Sequence, residues 1–307
     1  MSIEHRRVTK WGSGNTYAIT LPIEWVKLYS ITPGMEIRME IRDDGTIVLS
    51  PPSHETRKSI TIPGETIKDR DHLRNLVIGH FIEGYDVIKI EYPILVPPAI
   101  LEEVDIIREK MLGFVVEKRD KSVEFSELMK IESLQNLRKH YYNRIISYID
   151  KFAENVPKNN TDLLQDLVYE PDEILAMYYR CVREVNKIKP SAADILFMKS
   201  LMMIVEELDG LLNAYSSLKT EIPQAFIESL QLISESVKLL VDTALFGDVM
   251  RTLQVRNKLE ILEGDVQSVR EWGTMDAFVG YLERISRHIE HAMLYSTIIA
   301  QEKIRRK

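Results

Sequence analysis

From about residue 128 to residue 307 apolar side chains recur at intervals of three and four, and glycine is scarce. No other feature constrains the fold as strongly, because that period makes one face of a helix apolar and obliges it to pack against another helix. Six helices are expected, over 131–155, 162–188, 192–218, 223–246, 248–271 and 274–303, separated by the breaks VPKNNTD, IKPSA, KTEIP, FGD and EWGT. Long helices joined by such short breaks run antiparallel and form bundles. They also fall into two sets of three. DLVYEPDEIL (166–175) is echoed by LQVRNKLEIL (253–262), and IVEELDGLLNA (204–214) by YLERISRHIEHA (281–292). With Glu206 set over Glu283, Leu208 falls on Ile285 and Leu212 on Ile289. The methionine-rich stretch FMKSLMMIVEEL is expected to be core packing, since flexible thioethers fill irregular bundle interiors.

Ahead of these helices, residues 59–127 read as a small α/β sandwich with the order β-α-β-α-β-β. SITIP is a strand, IKDRDHLRNLVIGHFIEG an amphipathic helix stopped by Gly84, and YDVIKIEY a strand. PPAILEEVDIIREKMLG is a helix begun by prolines and stopped by Gly113, and FVVEK with KSVEFSEL forms a closing strand pair. The stretch has no glycine-rich phosphate loop and no compact acid cluster. Glu83–Tyr85 and Lys110–Phe114 are read as helix ends, not as chemistry. PPSHETRK, residues 51–58, is polar and proline-bearing, as a linker is.

The opening residues are β-rich. RRVTKW, TYAITLP, MEIRMEI and TIVLSPP alternate as strands do, and GSGN, TPG and DDG break them. Asp44-Gly45 is a hairpin cue, because both residues tolerate positive φ. Pro22 before IEWVKLY starts a short helix at a residue that needs no donor. GSGNT does not read as a phosphate cradle, because a cradle runs into a helix whose amides face the anion and here the strand-like YAITLP follows. A unit of about fifty residues built from short strands leaves edges and apolar surface open, and pairing with a second copy would cover both.

A length of 307 residues suits about two domains. The net charge of −7 argues against a protein wrapped in nucleic acid, but it is unevenly spread. Residues 1–58 hold 8 Lys+Arg against 7 Asp+Glu, residues 59–130 hold 10 against 14, and residues 131–307 hold 22 against 26. Only the first segment suits phosphate. Within it Arg6, Arg7 and Lys10 precede the first turn, while Glu36, Glu40, Asp43 and Asp44 come later. Uncharged runs such as YPILVPPAIL are too short and proline-rich to span a membrane, and MSIEHRRVTKW lacks the apolar core of an export signal. The lone Cys181 excludes an internal disulfide framework; with no base beside it in ILAMYYRCVREV, it is expected to be a packed core thiol. A cytoplasmic protein fits these features.

The stretch VTKWGSGNTYAITLPIEWVKLYSITPGMEIRMEIRDDGTIVLSPP resembles the AbrB/MazE type of swapped-hairpin DNA-binding domain. The shared pattern is basic-x-T-K-W-G, a polar turn, x-x-I-x-L-P, a short helix, then x-x-G-x-x-I. The resemblance implies two intertwined hairpins from a homodimer, with Arg6, Arg7, Lys10, Ser13 and Asn15 reaching DNA phosphates and groove edges. The six helices resemble the PhoU domain, a tandem pair of three-helix bundles, and the whole order resembles archaeal phosphate-uptake regulators. Those relatives imply a transcriptional regulator of phosphate uptake, with phosphate ABC transporter components among its partners. The alternative is a PhoU-type regulator that does not bind DNA and acts on such a transporter by protein contact, its first domain serving only dimerisation. An antitoxin-like reading sits poorly with the long body, since antitoxins of this type follow the head with a short tail. The expected fold class is multidomain α+β: a swapped-hairpin β domain over 1–52, the sandwich over 59–127, and PhoU-like three-helix bundles over 128–220 and 221–307.

PhoU bundles carry an acidic motif, E-x-x-x-D, on the third helix of each repeat, which places two carboxylates one turn apart for a cation. Here the fifth position from Glu206 is Gly210, and from Glu283 it is Arg287, which would repel a cation. Glu206, Asp209, Glu283 and Glu290, with Glu207 and the imidazoles of His288 and His291 nearby, are the candidates for a re-formed divalent-metal site. In the other reading these charges are solvated or paired on the bundle surface, and no cofactor is needed. Enzymatic chemistry is not expected: the 7 histidines are scattered and no nucleophile sits in a recognisable elbow.

Overall fold

A computed structural model describes residues 6–11, 16–41, 45–50, 57–128, 133–158, 166–188, 191–215, 222–272 and 275–305. The chain is a multidomain α+β protein and divides into two compact units, one up to Thr56 and one from Arg57 to Arg305.

In the first unit β1 (Thr9–Trp11) pairs antiparallel with β2 (Thr16–Ala18), and β3 (Arg38–Ile41) pairs antiparallel with β4 (Ile47–Ser50). These are two separate two-stranded ribbons. The strands are shorter than the alternating runs in the sequence, because each has only one partner to satisfy its backbone groups. Between the ribbons lies α1 (Ile23–Leu28), which follows Pro22 directly. Ser30 closes it in the left-handed region (φ 51°), where the Ile31 amide donates back to Val26 O at 2.9 Å.

In the second unit β5 (Ser59–Pro63), α2 (Arg70–Ile82), β6 (Val87–Glu91), α3 (Pro98–Glu109), β7 (Phe114–Arg119) and β8 (Ser122–Glu127) form a four-stranded mixed sheet in the order β5-β6-β8-β7. The α2 crossover makes β5 and β6 parallel, whereas β8 runs antiparallel to both neighbours. Alternate strand residues, among them Ile62, Ile88, Ile90, Val123 and Phe125, join Leu73, Val77, Phe81, Val104 and Ile107 of the helices in one core. The Asp69 carboxylate accepts from the His72 amide at 2.7 Å and so caps α2. Gly84 (φ 90°) and Gly113 (φ 85°) then turn the chain where a side chain would be strained.

Six long helices follow: α4 (Leu134–Asn155), α5 (Glu170–Ile188), α6 (Ala192–Tyr215), α7 (Gln224–Phe246), α8 (Arg251–Glu271) and α9 (Asp276–Arg305). The expected helix ends at 131, 162, 218 and 274 fall outside the described residues. One boundary needs correction. The expected helix over 162–188 is interrupted at Val168 and Tyr169, and α5 begins at Glu170. The reason is Pro171, which has no amide to donate and would clash with the carbonyl of Leu167 in a continuous helix. The two helical triplets share one contiguous core, in which α6 packs along α9 and α4 against α7. Met198 and Met202 are buried in it, as is Cys181, whose thiol burial pushes up to about 12. Among the described residues no helix is long and apolar enough to cross a membrane.

Candidate nucleic-acid interface

Arg6, Arg7 and Lys10 lie on the exposed arm that becomes β1. Lys10 pairs across the ribbon with Tyr17, so a cation and an exposed aromatic ring stand side by side on one face. Thr9 Oγ1 donates to Ala18 O at 3.3 Å and ties the ribbon together on its other side. RRVTKW contains three cations and no acid. A strand, not a helix N-terminus, follows the GSGN turn, so the phosphate-cradle geometry is absent. Ser13 and Asn15 fall outside the described residues.

None of the first unit's described side chains is buried. Ile41 faces Ile47 across the second ribbon, and these side chains remain 75% and 58% exposed. Val8, Ile19, Ile23, Leu28 and Met39 are likewise exposed. A unit with this much uncovered apolar surface is not stabilised by its own contacts.

The candidate metal positions are scattered among cationic partners. Glu206 accepts from Lys199 at 3.3 Å, Glu283 pairs with Arg270, and Glu207 pairs with Arg284 at 2.7 Å. Asp209 is half-buried, and burial, with Asp172 nearby, raises its pKa. Glu290 and Arg287 line a shallow groove between α8 and α9 together with Glu263 and Arg270. Burial lowers the pKa of His288 against the opposing pull of Glu207. The apolar register of the repeat is realised, with Leu208, Ile285, Leu212 and Ile289 all buried. The second carboxylate of the E-x-x-x-D motif has no place in either triplet: a Cβ on Gly210 would meet the Tyr281 ring at 2.6 Å, and Arg287 occupies the other position. Among the described residues no group of three or more His, Cys, Asp or Glu side chains is arranged to hold a metal ion.

The most elaborate polar cluster was not singled out from the sequence. Arg180 and Arg183 on α5 are essentially without solvent exposure. Arg183 donates to Phe81 O (2.9 Å) and Tyr85 O (2.7 Å) at the end of α2, and to Asp86 Oδ1 (2.7 Å) and Glu127 Oε2 (3.0 Å). Arg180 donates to Leu112 O (3.0 Å) beyond α3 and to Glu127 Oε1 (2.5 Å). The stretches ending in Gly84 and Gly113 do end helices, and their carbonyls also receive these guanidinium groups, which complement the negative end of a helix. The signal in the sequence was the cationic stripe Arg180, Arg183, Lys187 at helical spacing on an otherwise apolar helix.

Comparison with known protein families finds one match, over residues 10–57, to the family described as antidote-toxin recognition MazE, bacterial antitoxin. No curated protein and no solved structure matches the chain. The matched stretch takes in both ribbons and α1, so the first unit is MazE-like in sequence as well as built from paired hairpins.

Proposed function

We propose that this chain is a homodimeric, cytoplasmic transcriptional regulator that grips DNA through its first unit. The observation that carries the reading is the combination, in one MazE-like unit, of three exposed cations on a hairpin arm with apolar ribbons that lack a core of their own. A second copy interlocked with the first covers Ile41, Ile47 and their neighbours, and turns two sets of Arg6, Arg7 and Lys10 toward a two-fold DNA site, with Ser13 and Asn15 beside them. The protein acts by binding, not as an enzyme.

The body supplies the signal. Phosphate supply is proposed as that signal on the resemblance of the two helical triplets to PhoU, with phosphate ABC transporter components as partners of the body. No metal step is assigned, because Gly210 and Arg287 stand where the second carboxylates belong. The match to an antitoxin family favours a second reading, in which the first unit contacts a protein.

Salt titration of DNA binding separates the two readings. Six phosphate contacts from a dimer give a slope of log affinity against log salt of about −5, and removing Arg6, Arg7 and Lys10 flattens it. If the triple variant keeps both affinity and slope, or the intact protein binds no DNA, the DNA reading fails.

A further inference from the structure

Lys58 is read from the sequence as the last residue of a linker, yet it is among the most firmly held residues at the start of the second unit. Its amide donates to Asp86 Oδ2 at 2.9 Å, and its carbonyl accepts from the amides of Asp86 (2.7 Å) and Val87 (3.2 Å). Its ammonium donates to Glu83 O at 3.0 Å and lies 4.0 Å from the centre of the Tyr85 ring. The other oxygen of the same carboxylate, Asp86 Oδ1, accepts from Arg183 (2.7 Å) and Lys187 (2.8 Å) of α5. Asp86 thus has one oxygen on the chain arriving from the first unit and the other on a helix of the body.

The point where the chain leaves the sheet lies at the same pole. The Glu127 amide donates to Asp86 O at 2.9 Å, and the Glu127 carboxylate accepts from Arg180, Arg183 and Lys187. Arrival at Lys58 and departure at Glu127 are therefore gathered under one face of α5. Nothing in sheet packing requires this, since the hydrophobic core of the sandwich closes without Asp86, Glu127 or any residue of α5 except Tyr179 at its edge. Buried charge clusters of this kind contribute little net stability compared with apolar packing, but they fix one arrangement and penalise others. A displacement of α5 cannot leave Lys58 where it is without stripping Asp86 Oδ1 of two cationic donors.

We propose that Asp86 is a coupling joint, transmitting movements of α5 in the helical body to Lys58 and so to the chain that leads to the first unit. The proposal does not depend on what the first unit binds. Asp86 is a positioning residue, and Lys187 is the accessible handle on it: its side chain is one-third exposed and its stem packs on Gly84.

The test is amide hydrogen exchange on the full chain with Lys187→Met, Asp86→Asn and the double variant. Methionine keeps the stem and removes only the charge. Lys187→Met is expected to speed exchange of the Lys58 and Val87 amides about threefold or more, while the Leu128 and Phe114 amides, bonded to Gly113 O and Met111 O, stay within error. In the Asp86→Asn background Lys187→Met is expected to add nothing at Lys58, because the path between them is already cut. Unchanged exchange at Lys58 in Lys187→Met overturns the proposal. So does equal acceleration at all four amides, which marks general loosening, or an additive effect in the double variant.

Discussion

Gly210 of α6 lies beneath the ring of Tyr281 of α9, so close that a Cβ there would stand 2.6 Å from a ring carbon. This contact explains why a glycine interrupts a long helix and why an acidic motif cannot be completed at that position. In an open helix Gly→Ala adds up to about 1 kcal/mol of stability. At Gly210 the sign reverses: Gly210→Ala is expected to cost about 1–3 kcal/mol in urea unfolding, and Tyr281→Ala in the same chain to recover part of the loss. A stabilised Gly210→Ala protein would show that α6 and α9 are not held this closely.

Arg183 is fully buried, with its guanidinium 4.9 Å from the centre of the Phe114 ring and its donors on Asp86 and Glu127. Arg183→Met keeps most of the volume but leaves two carboxylates short of a partner, so a loss of about 3–5 kcal/mol is expected in denaturant unfolding. Arg70→Met, which removes an exposed ion pair with Glu102, is expected to cost no more than about 1 kcal/mol. Similar losses from the two substitutions would place Arg183 in an environment far wetter than its burial implies.

The same cluster predicts a pH response. Burial works to raise the Asp86 carboxyl, but hydrogen bonds from Lys187 and the Lys58 amide outweigh it and hold the group at about 2, below its ordinary 3.8. A carboxyl depressed on folding contributes stability that is complete above the unfolded value and disappears as pH falls through the folded one. Between about pH 4 and pH 2 the wild-type chain is therefore expected to lose stability more steeply than Asp86→Asn, and the two curves should run parallel above pH 5. Parallel curves through the acid range would remove Asp86 from the account.

Ser30 ends α1 with φ 51°, a region that costs a side chain about 1 kcal/mol and a glycine almost nothing. Ser30→Gly is expected to stabilise the end of the helix by roughly 0.5–1 kcal/mol, read as slower exchange of the Ile31 amide that bonds back to Val26. Faster exchange would show that the serine conformation is supported by contacts beyond its own backbone.

Local chemistry along the chain determined most of the architecture. Apolar period placed the six helices, glycine and proline placed their ends, and the strand order of the sandwich followed from alternation and turn residues, because each signal acts over a few neighbouring residues. Pro171 breaks a helix by the same local rule, although the surrounding periodicity masked it. The hairpin cations Arg6, Arg7 and Lys10 were legible for a similar reason: they stand next to one another before a turn. What only the tertiary structure decided are pairings between distant segments. Arg183 meets Asp86 across 97 residues of sequence, and Gly210 meets Tyr281 from a different helix. Periodicity says that a face is buried but not what buries it, so an arginine on an apolar helix and a glycine in a long one acquire their meaning only when the opposing surface is in place.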